Sequence, residues 1–254
     1  MFPIQEREEV MDYTELKKLM SEQKVEMTAA ERIKAYNEGK EVDHIPYTLQ
    51  APDPAMADIF GFTTSQFAKD FEVKSEVIRR RKEEFGLDSF NVGLGLRTIG
   101  VALGSKLGVP EHGIDYIEHH VLQDYADFDK LEVTDPYKNP VLAPILESAK
   151  RLKERFPDVS MTTSVAGPIS TAIAVRPVEK VLRDTRKNPE MLHKLLDLTV
   201  VCSLKWFEAF YHEFGSVGTN FSDPVTCMDV ISKKQFDEFS LPYIKKLLGE
   251  FRAD

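Results

Sequence analysis

Short β-like runs alternate along the chain with longer segments whose apolar residues recur at helical spacing. The short runs cover residues 44–49, 89–94, 160–165 and 217–221, and each is brief enough for a β-strand. Strands separated by helices are typical of α/β proteins, in which the crossover helices pack on a parallel sheet. The pattern therefore predicts an α/β fold built from repeated strand–helix units.

Helix boundaries are marked by residues that satisfy free backbone groups. Thr28, Thr63 and Ser232 are each followed three residues later by Glu or Gln, which is the sequence of a capping box. Pro189 stands at a first helical position, and the amphipathic pattern after it continues to a glycine stop at Gly215. These signals predict helices that begin after residues 28, 63, 188 and 232.

The chain contains no tandem repeat and no linker rich in proline or glycine. We therefore expect one domain over residues 41–254, preceded by an N-terminal helical arm over residues 1–40. Residues 96–125 carry four glycines among alternating apolar residues. This composition predicts an excursion or a hairpin after the second strand.

Repeated strand–helix units form either an open doubly wound sheet or a closed barrel, and spacing alone barely separates the two. No G-x-G-x-x-G motif follows the first strand, and the glycine pair at 93 and 95 lacks both a third glycine and a helix start. This absence favours the barrel. The wide spacing leaves room for only about four of the eight barrel strands, so we expect a truncated barrel.

Charge and apolar content exclude several classes of protein. The 254 residues include 33 Lys and Arg against 42 Asp and Glu, a net charge of −9, which disfavours nucleic acid and anionic membrane as partners. The apolar run at 141–145 is far shorter than the roughly 18 residues of a membrane-spanning helix. Two cysteines, Cys202 and Cys227, and an acidic N-terminus without a signal-peptide pattern indicate a cytoplasmic protein.

Candidate site residues follow each predicted strand, where α/β enzymes collect their reactive groups. They are Gln50 and Asp53 after the first strand, Arg97 after the second, Gly167 after the third, and Asn220, Asp223, Thr226 and Cys227 around the end of the fourth. Asp223 ends an apolar run at a tight turn, where its carboxylate either faces a pocket or caps the following segment. Arg97 either binds an anionic group or pairs with a nearby acid. Cys227 is either a reactive thiolate or an inert thiol.

The histidines do not form a metal site by their spacing. None of the six stands at i, i+4 from another on a predicted helix or two residues from a cysteine, and His119 and His120 would point to opposite faces of a strand. The chain also lacks G-x-S-x-G, P-loop and H-E-x-x-H motifs. The residues alone thus predict an α/β enzyme with a cleft near Asp223 and no metal ligands.

Four motifs in a fixed order connect the chain to a known family. They are MTAAERI at 27–33, GKEVDHIP at 39–46, AGP at 166–168 and DPVTCMDVIS at 223–232. Together they resemble the uroporphyrinogen decarboxylase superfamily, and the resemblance runs from residue 27 to the end. It implies a TIM-like (β/α)8 barrel, of which this chain would be the N-terminal half. It also implies one of two activities, decarboxylation of uroporphyrinogen or cobamide-dependent methyl transfer.

Three positions separate the chain from the decarboxylase branch. An Arg-Gln-Ala-Gly-Arg motif follows strand one in that branch, where this chain has QAPDP at 50–54. The pyrrole-binding aspartate of the branch aligns with Gly95 and its tyrosine with Ala174. A substrate with many carboxylates needs cationic partners. The resemblance therefore favours the methyltransferase branch, whose Asp-Pro-x-Ala-Ser turn is similar to DPVT at 223–226.

The resemblance implies a corrinoid-dependent methyltransferase, which moves a methyl group between a methylcobamide on a separate corrinoid protein and a thiol or another small acceptor. Asp223 would be the catalytic residue, and substrate would bind at Gln50, Asp53, Arg97, Gly167, Asn220, Thr226 and Cys227. The branch also uses zinc, held by a His-x-Cys pair and a later cysteine that would fall beyond residue 254. Two alternatives stay open: a decarboxylase of a less charged substrate, and a non-catalytic fragment that binds a corrinoid protein or forms a homo-oligomer.

Overall fold

The computed structural model describes residues 14, 18, 22, 26–45, 53–85, 89–112, 114–157, 159–215 and 217–251. Its contacts divide the chain into two compact units, Met1–Gln50 and Ala51–Asp254. The arm over residues 1–40 stays a prediction. In the described part of the chain, no helix is long and apolar enough to span a membrane.

The first unit contains helix α1 (Ala29–Asn37). Thr28 and Glu31 form the predicted capping box at its start. Arg32 donates to Asp43 through Nη2 at 2.9 Å, and the same carboxylate accepts three backbone N–H groups. The Arg32 guanidinium holds the pKa of the Asp43 carboxyl well below its usual range. This ion pair therefore fastens the segments on either side of α1 to one another.

The second unit alternates helices with short strands. Its described helices are α2 (Asp53–Ile59), α3 (Thr64–Lys69), α4 (Phe71–Phe85), α5 (Thr98–Ala102), α6 (Leu142–Arg155), α7 (Pro168–Val175), α8 (Val178–Lys187), α9 (Pro189–Phe214), α10 (Lys233–Phe239) and α11 (Leu241–Phe251). Its described strands are β1 (Ser89–Asn91), β2 (Lys106–Gly108), β3 (Tyr116–His119), β4 (Ser160–Ala166) and β5 (Gly218–Ser222). Short 3-10 turns lie at Tyr125–Lys130 and Pro224–Thr226.

Three of the strands form a parallel sheet in the order β1-β4-β5. The pairing places Ala166 at the end of β4 beside Ser222 at the end of β5. Backbone N–H groups of Val92 and Leu94 donate to carbonyls of β4 at 2.8 Å, so the pairing continues past the last residue of β1. The sheet confirms that the second, third and fourth predicted runs are strands, with β5 shifted by one residue from the predicted 217–221.

The first predicted strand has a different outcome. Residues 46–49 of this predicted strand, and residue 50 after it, lie outside the described residues. Residues 44 and 45, which are described, are not in a strand. The Asp43 carboxylate accepts the His44 backbone N–H at 2.9 Å, and a group bonded to a side chain in this way is not paired in a strand ladder.

One face of the sheet packs against the long helix α9. Trp206 and Phe210 of this helix are fully buried. The indole N–H of Trp206 donates to the Thr163 hydroxyl at 2.9 Å, and that hydroxyl donates to the Val92 carbonyl at 2.8 Å. Because the Trp206 indole and the Thr163 hydroxyl each have a hydrogen-bond partner, this link fixes α9 across β1 and β4 without leaving either donor unpaired.

The predicted helix boundaries in the second unit are confirmed. Thr63 and Ser232 form capping boxes with the glutamine three residues later. Pro189 is the first residue of α9. Gly215 ends that helix with φ of 70°, a left-handed conformation that glycine adopts without steric cost.

A β-hairpin formed by β2 and β3 occupies the predicted excursion at 96–125. Its base is fixed to α7. A Cβ at Gly100 of α5 would lie 2.5 Å from the Cβ of Ala174, so the two helices approach as closely as glycine permits. The buried Ser105 hydroxyl donates to the Ala174 carbonyl at 2.7 Å and accepts the Val121 backbone N–H at 3.1 Å. One side chain therefore ties the hairpin to the helix.

Replacing Ser105 with alanine is expected to lower the free energy of unfolding by about 1–3 kcal/mol, because a buried carbonyl and a partly buried N–H both lose their partner. Urea denaturation followed by circular dichroism measures the change. Ser65→Ala in α3 removes a hydroxyl from another helix and should change stability by less than about 0.5 kcal/mol. Equal stability of the two variants would show that Ser105 does not anchor the hairpin.

Candidate functional site

The carboxyl ends of β4 and β5 lie side by side. Gly167, directly after β4, donates its backbone N–H to the carbonyl of Ser222 at 2.8 Å. Helix α7 begins at the next residue, Pro168, and Asp223 directly follows Ser222. A helix N-terminus and a carboxylate therefore meet at one edge of the sheet.

The Asp223 carboxylate is bound to the N-terminus of α7. Its Oδ1 accepts the backbone N–H of Ser170 at 2.8 Å and the Ser170 hydroxyl at 2.6 Å. Its Oδ2 accepts the Ile169 N–H at 3.3 Å. These N–H groups have no partner inside the helix, and the helix dipole favours a negative charge there. Asp223 thus caps α7, which precedes it in sequence, and not the segment that follows it.

Burial and hydrogen bonding act in opposite directions on Asp223. Burial raises the pKa of its carboxyl, whereas the hydrogen bonds from Ser170 and Ile169 lower the pKa, and the net direction is upward. A carboxyl with a raised pKa takes up a proton closer to neutral pH than an exposed aspartate does. Oδ2 accepts only the long bond from Ile169, so it keeps a lone pair for a ligand.

Gly167 permits the close approach of Asp223 to α7. A Cβ at Gly167 would lie 2.5 Å from both the Cγ and the Oδ2 of Asp223. Real Cβ atoms do not make contacts this short, because the atoms overlap. The glycine is therefore a structural requirement of the capped carboxylate, and this explains its position directly after the strand.

The face of the sheet opposite α9 carries hydroxyl and amide side chains on its three strands. The Ser164 hydroxyl donates to Asn91 Oδ1 at 2.9 Å, and Asn91 Nδ2 donates to the Thr162 hydroxyl at 2.9 Å. Ser164 pairs in register with Asn220, whose side chain therefore projects from the same face. We call Asn91, Thr162, Ser164 and Asn220 the polar floor.

Asn220 is the one residue of the polar floor that the sequence analysis predicts as a site residue. The sequence of the strand run 160–165 nevertheless indicates that Thr162 and Ser164 lie on a polar face. Met161 and Val165 are buried, whereas Thr162 and Ser164 are only half-buried. This alternation with period two marks a strand with one apolar and one polar face, in contrast to the continuous apolar runs of most parallel strands.

The structure also locates the remaining predicted residues. Arg97 pairs with Asp115 at 2.9 Å, which is the second of the two alternatives stated for it. The Thr226 hydroxyl donates to the Asp223 carbonyl at 2.7 Å and so stabilises the turn after β5. Cys227, at the end of that turn, is an exposed free thiol.

Two predicted residues are not located. Gln50 lies outside the described residues. Asp53 is the first residue of α2, and its side chain is outside the description as well. Their proposed contacts with substrate stay predictions.

Metal-ligating side chains do not cluster in the part of the chain that the structure describes. Among residues that the structure describes, no group of three His, Cys, Asp or Glu side chains could hold a metal ion. Cys202 is buried in α9, and burial raises the pKa of its thiol, which keeps it protonated and inert.

The fold and the site are typical of α/β enzymes. A partly buried carboxylate lies at the carboxyl edge of parallel strands, where α/β enzymes bind their substrates, and the polar floor covers one face of the same strands. The model of the uroporphyrinogen decarboxylase (URO-D) family matches residues 28–254. The chain belongs to the uroporphyrinogen decarboxylase family, which confirms the resemblance seen in its motifs.

Similar proteins are methyltransferases from Methanosarcina. Two relatives named methylcobamide:CoM methyltransferase MtaA, both from Methanosarcina barkeri, are 22% identical over 230 and 225 residues. Each alignment covers 87% of this chain and 66% of the relative, so the chain spans about two thirds of their length. A solved methyltransferase from Methanosarcina mazei is 21% identical with a TM-score of 0.74, covering 90% of this chain and 68% of that one.

These comparisons establish an α/β, TIM-like fold for the chain. The three parallel strands with helices on one face agree with such a fold. Closure into an eight-stranded barrel, and the share of that barrel present here, stay predictions.

Proposed function

We propose that the chain forms part of a corrinoid-dependent methyltransferase, which moves a methyl group between a methylcobamide and a thiol or another small acceptor. The observation that carries the proposal is the Asp223 carboxylate, held by α7 at the sheet edge in a family whose matched relatives are methyltransferases. The methylcobamide is a substrate that a separate corrinoid protein presents. That partner and a cytoplasmic location belong to the proposal.

Transfer of a methyl group to a thiol releases one proton. The sulfur–carbon bond forms as the carbon–cobalt bond breaks, the electron pair of the broken bond stays with the corrinoid, and the thiol proton leaves. Asp223 is suited to orient the thiol and to take this proton, because its pKa is raised and its Oδ2 keeps a lone pair. Thr226 and Cys227 border the acceptor in this proposal, since the turn that carries them starts at Asp223.

Zinc has no role in the proposal at the described residues. The family resemblance implies a zinc ion that activates the thiol, but the described side chains contain no group of three ligands for it. Among those side chains, the one exposed thiol of the site, Cys227, has no second and third ligand in a cluster with it. No step is therefore assigned to a metal held by this part of the chain.

The variant Asp223→Asn, made in the natural gene product, tests the proposal. An asparagine oxygen still accepts the Ser170 N–H and caps α7, so stability should change little. Methyl transfer from methylcobalamin to 2-mercaptoethanol should fall by about 100-fold, the usual contribution of a general base. The product thioether is measured by mass spectrometry. The wild-type rate should also fall as pH drops through the raised pKa of Asp223, whereas the variant's residual rate should not.

Two controls separate catalysis from folding. Asp223→Ala removes the cap as well as the charge and should lose about 0.5–2 kcal/mol of stability in addition to activity. Asp229→Asn changes an exposed carboxylate in the same loop and should leave both properties unchanged. Wild-type transfer by Asp223→Asn contradicts the assignment of Asp223. Release of carbon dioxide without methylcobalamin, and no methyl transfer, would replace the proposal with the decarboxylase alternative.

A further inference from the structure

Helix α7 has no N-cap side chain of its own. Its N-cap residue is Gly167, and the N–H groups that such a side chain would bind, those of Ile169 and Ser170, donate to Asp223 instead. The Ser170 hydroxyl donates to the same carboxylate, to Oδ1 at 2.6 Å. This third bond satisfies no backbone group of the helix, so its effect is on the carboxylate.

The hydroxyl bond has the length of a bond to an ionised carboxylate. Charge-assisted O–H···O⁻ bonds are about 2.5–2.7 Å long, shorter than bonds between neutral groups. Ser170 is 1% exposed, so water does not compete for the one proton that its hydroxyl can donate. A bond of this kind favours the ionised form of the carboxyl. It accordingly lowers the pKa of Asp223, against the effect of burial.

Hydrogen bonds, and not a neighbouring cation, keep Asp223 ionised. The described elements around it, β4, β5, α7 and the turn at Pro224–Thr226, contain no charged residue and no histidine. Cys227 and Asp229 follow the turn, and both are exposed to solvent. The pKa of Asp223 is set by burial and by its bonds with Ser170 and Ile169. Ser170 supplies two of these three bonds.

The bonds also distinguish the two carboxylate oxygens. Oδ1 accepts the hydroxyl and the N–H of Ser170 at 2.6 and 2.8 Å, and these two bonds occupy both of its lone pairs. Oδ2 accepts the Ile169 N–H at 3.3 Å, which is long for a bond of this type. A proton would displace a short bond at Oδ1 but not at Oδ2. The carboxyl therefore takes up its proton on Oδ2.

We propose that Ser170 is a positioning residue for methyl transfer: its hydroxyl holds Oδ1 of the ionised Asp223, so that Oδ2 takes the proton of the thiol. The inference rests on the proposed function and adds to it a residue that acts through Asp223. The S–H bond of the thiol breaks and an O–H bond to Oδ2 forms, while the sulfur keeps the electron pair that attacks the methyl carbon. The pair of the carbon–cobalt bond stays with the corrinoid, and Ser170 keeps its own proton throughout.

The test compares Ser170→Ala with Thr171→Val. Thr171 is equally buried in the same turn of α7, but its hydroxyl donates to the Ala166 carbonyl and not to Asp223. The Asp223 carboxyl is titrated by carbon NMR in the natural gene product, and its resonance is the one that Asp223→Asn lacks. We expect Ser170→Ala to raise the pKa of Asp223 by about one pH unit, the loss of one bond to an ion, and Thr171→Val to leave that pKa unchanged. Ser170→Cys, with a weak donor of similar size, should lie between the two.

Stability gives a second readout that needs no methyl donor. The hydroxyl stabilises the ionised form, so Ser170→Ala should lose more stability at a pH above the titration of Asp223 than below it. A pKa raised by about one pH unit corresponds to a difference of about 1.4 kcal/mol between the two losses, measured by urea denaturation. Thr171→Val should lose the same stability at both pH values, as should Ser170→Ala in the Asp223→Asn background.

Methyl transfer completes the test. The rate of Ser170→Ala should begin to fall at a pH about one unit higher than the wild-type rate does. It should return to the wild-type level at higher pH, because the N–H groups of Ile169 and Ser170 still hold Asp223. An unchanged pKa of Asp223, or a rate lowered equally at every pH, would overturn the inference. If the titration and the stability change as expected but no methyl group is transferred, the proposed function fails while the action of Ser170 on Asp223 stands.

Discussion

Replacing Gly167 with alanine is expected to remove the capped carboxylate from the site and to cost about 1–3 kcal/mol of stability, as overpacking does. The new methyl group would overlap the Cβ of Asp223 and lie 2.5 Å from its carboxyl carbon, and the Cβ cannot move unless the backbone of Asp223 moves with it. Either β5 or α7 has to shift, and the bonds from Ser170 and Ile169 then break. Methyl transfer should fall at least as far as in Asp223→Asn.

Urea denaturation and the transfer assay measure the two effects of Gly167→Ala. The matched control is Gly249→Ala in α11, where a Cβ would meet nothing within 4 Å. That variant should gain about 0.5–1 kcal/mol from the better helix propensity of alanine, with unchanged activity. If Gly167→Ala is as stable and as active as Gly249→Ala, the close approach of Asp223 to α7 is not present in solution.

The variant Asp184→Ala should lose about 3–5 kcal/mol, because it leaves the Arg176 guanidinium buried without its counter-charge. The two groups bond at 2.7 Å, with side chains exposed by only 7% and 2%. Arg176 also donates to the carbonyls of Leu122 and Gln123, which follow the hairpin, at 3.3 and 3.0 Å. Breaking the pair therefore disturbs the connection from the hairpin to α8 as well. Chemical denaturation measures the loss.

A double variant isolates the charge effect. Arg176→Met combined with Asp184→Leu replaces both charged side chains with apolar ones of similar volume. The double variant should recover most of the stability lost in Asp184→Ala. In contrast, Glu208→Ala breaks the exposed pair with Lys205 and should change stability by less than about 1 kcal/mol. A loss in the double variant equal to that in Asp184→Ala would mean that packing, and not the unpaired charge, is decisive.

Features that depend on neighbouring residues were predictable from the sequence. The capping boxes at Thr63 and Ser232 and the glycine stop at Gly215 are confirmed because each signal lies within a few residues of the helix end that it sets. The hairpin within 96–125 is confirmed for a similar reason, since its glycines and alternating apolar residues are local. Three predicted strands were found in the same way.

Features that depend on residues far apart in the sequence were not predictable. Asp223 was expected to face a pocket or to cap the next segment, but its partner Ser170 stands 53 residues earlier in the chain. The polar floor joins Asn91 to Ser164 across 73 residues. No spacing within one strand reveals the register that brings these side chains together, although the alternation along β4 indicates which face is polar.

The parallel sheet joins parts of the chain that are far apart in sequence. The pairing of β4 with β5, sealed by Ser170 and Asp223, closes a loop of 53 residues, and the bond from Asn91 to Thr162 closes one of 71. The entropy cost of closing these two loops differs by only about 0.3 kcal/mol, so loop length does not order the two pairings. Contacts between distant residues slow folding, since chain entropy is lost before the pairing forms. We therefore expect both pairings to form late, after the local hairpin of β2 and β3.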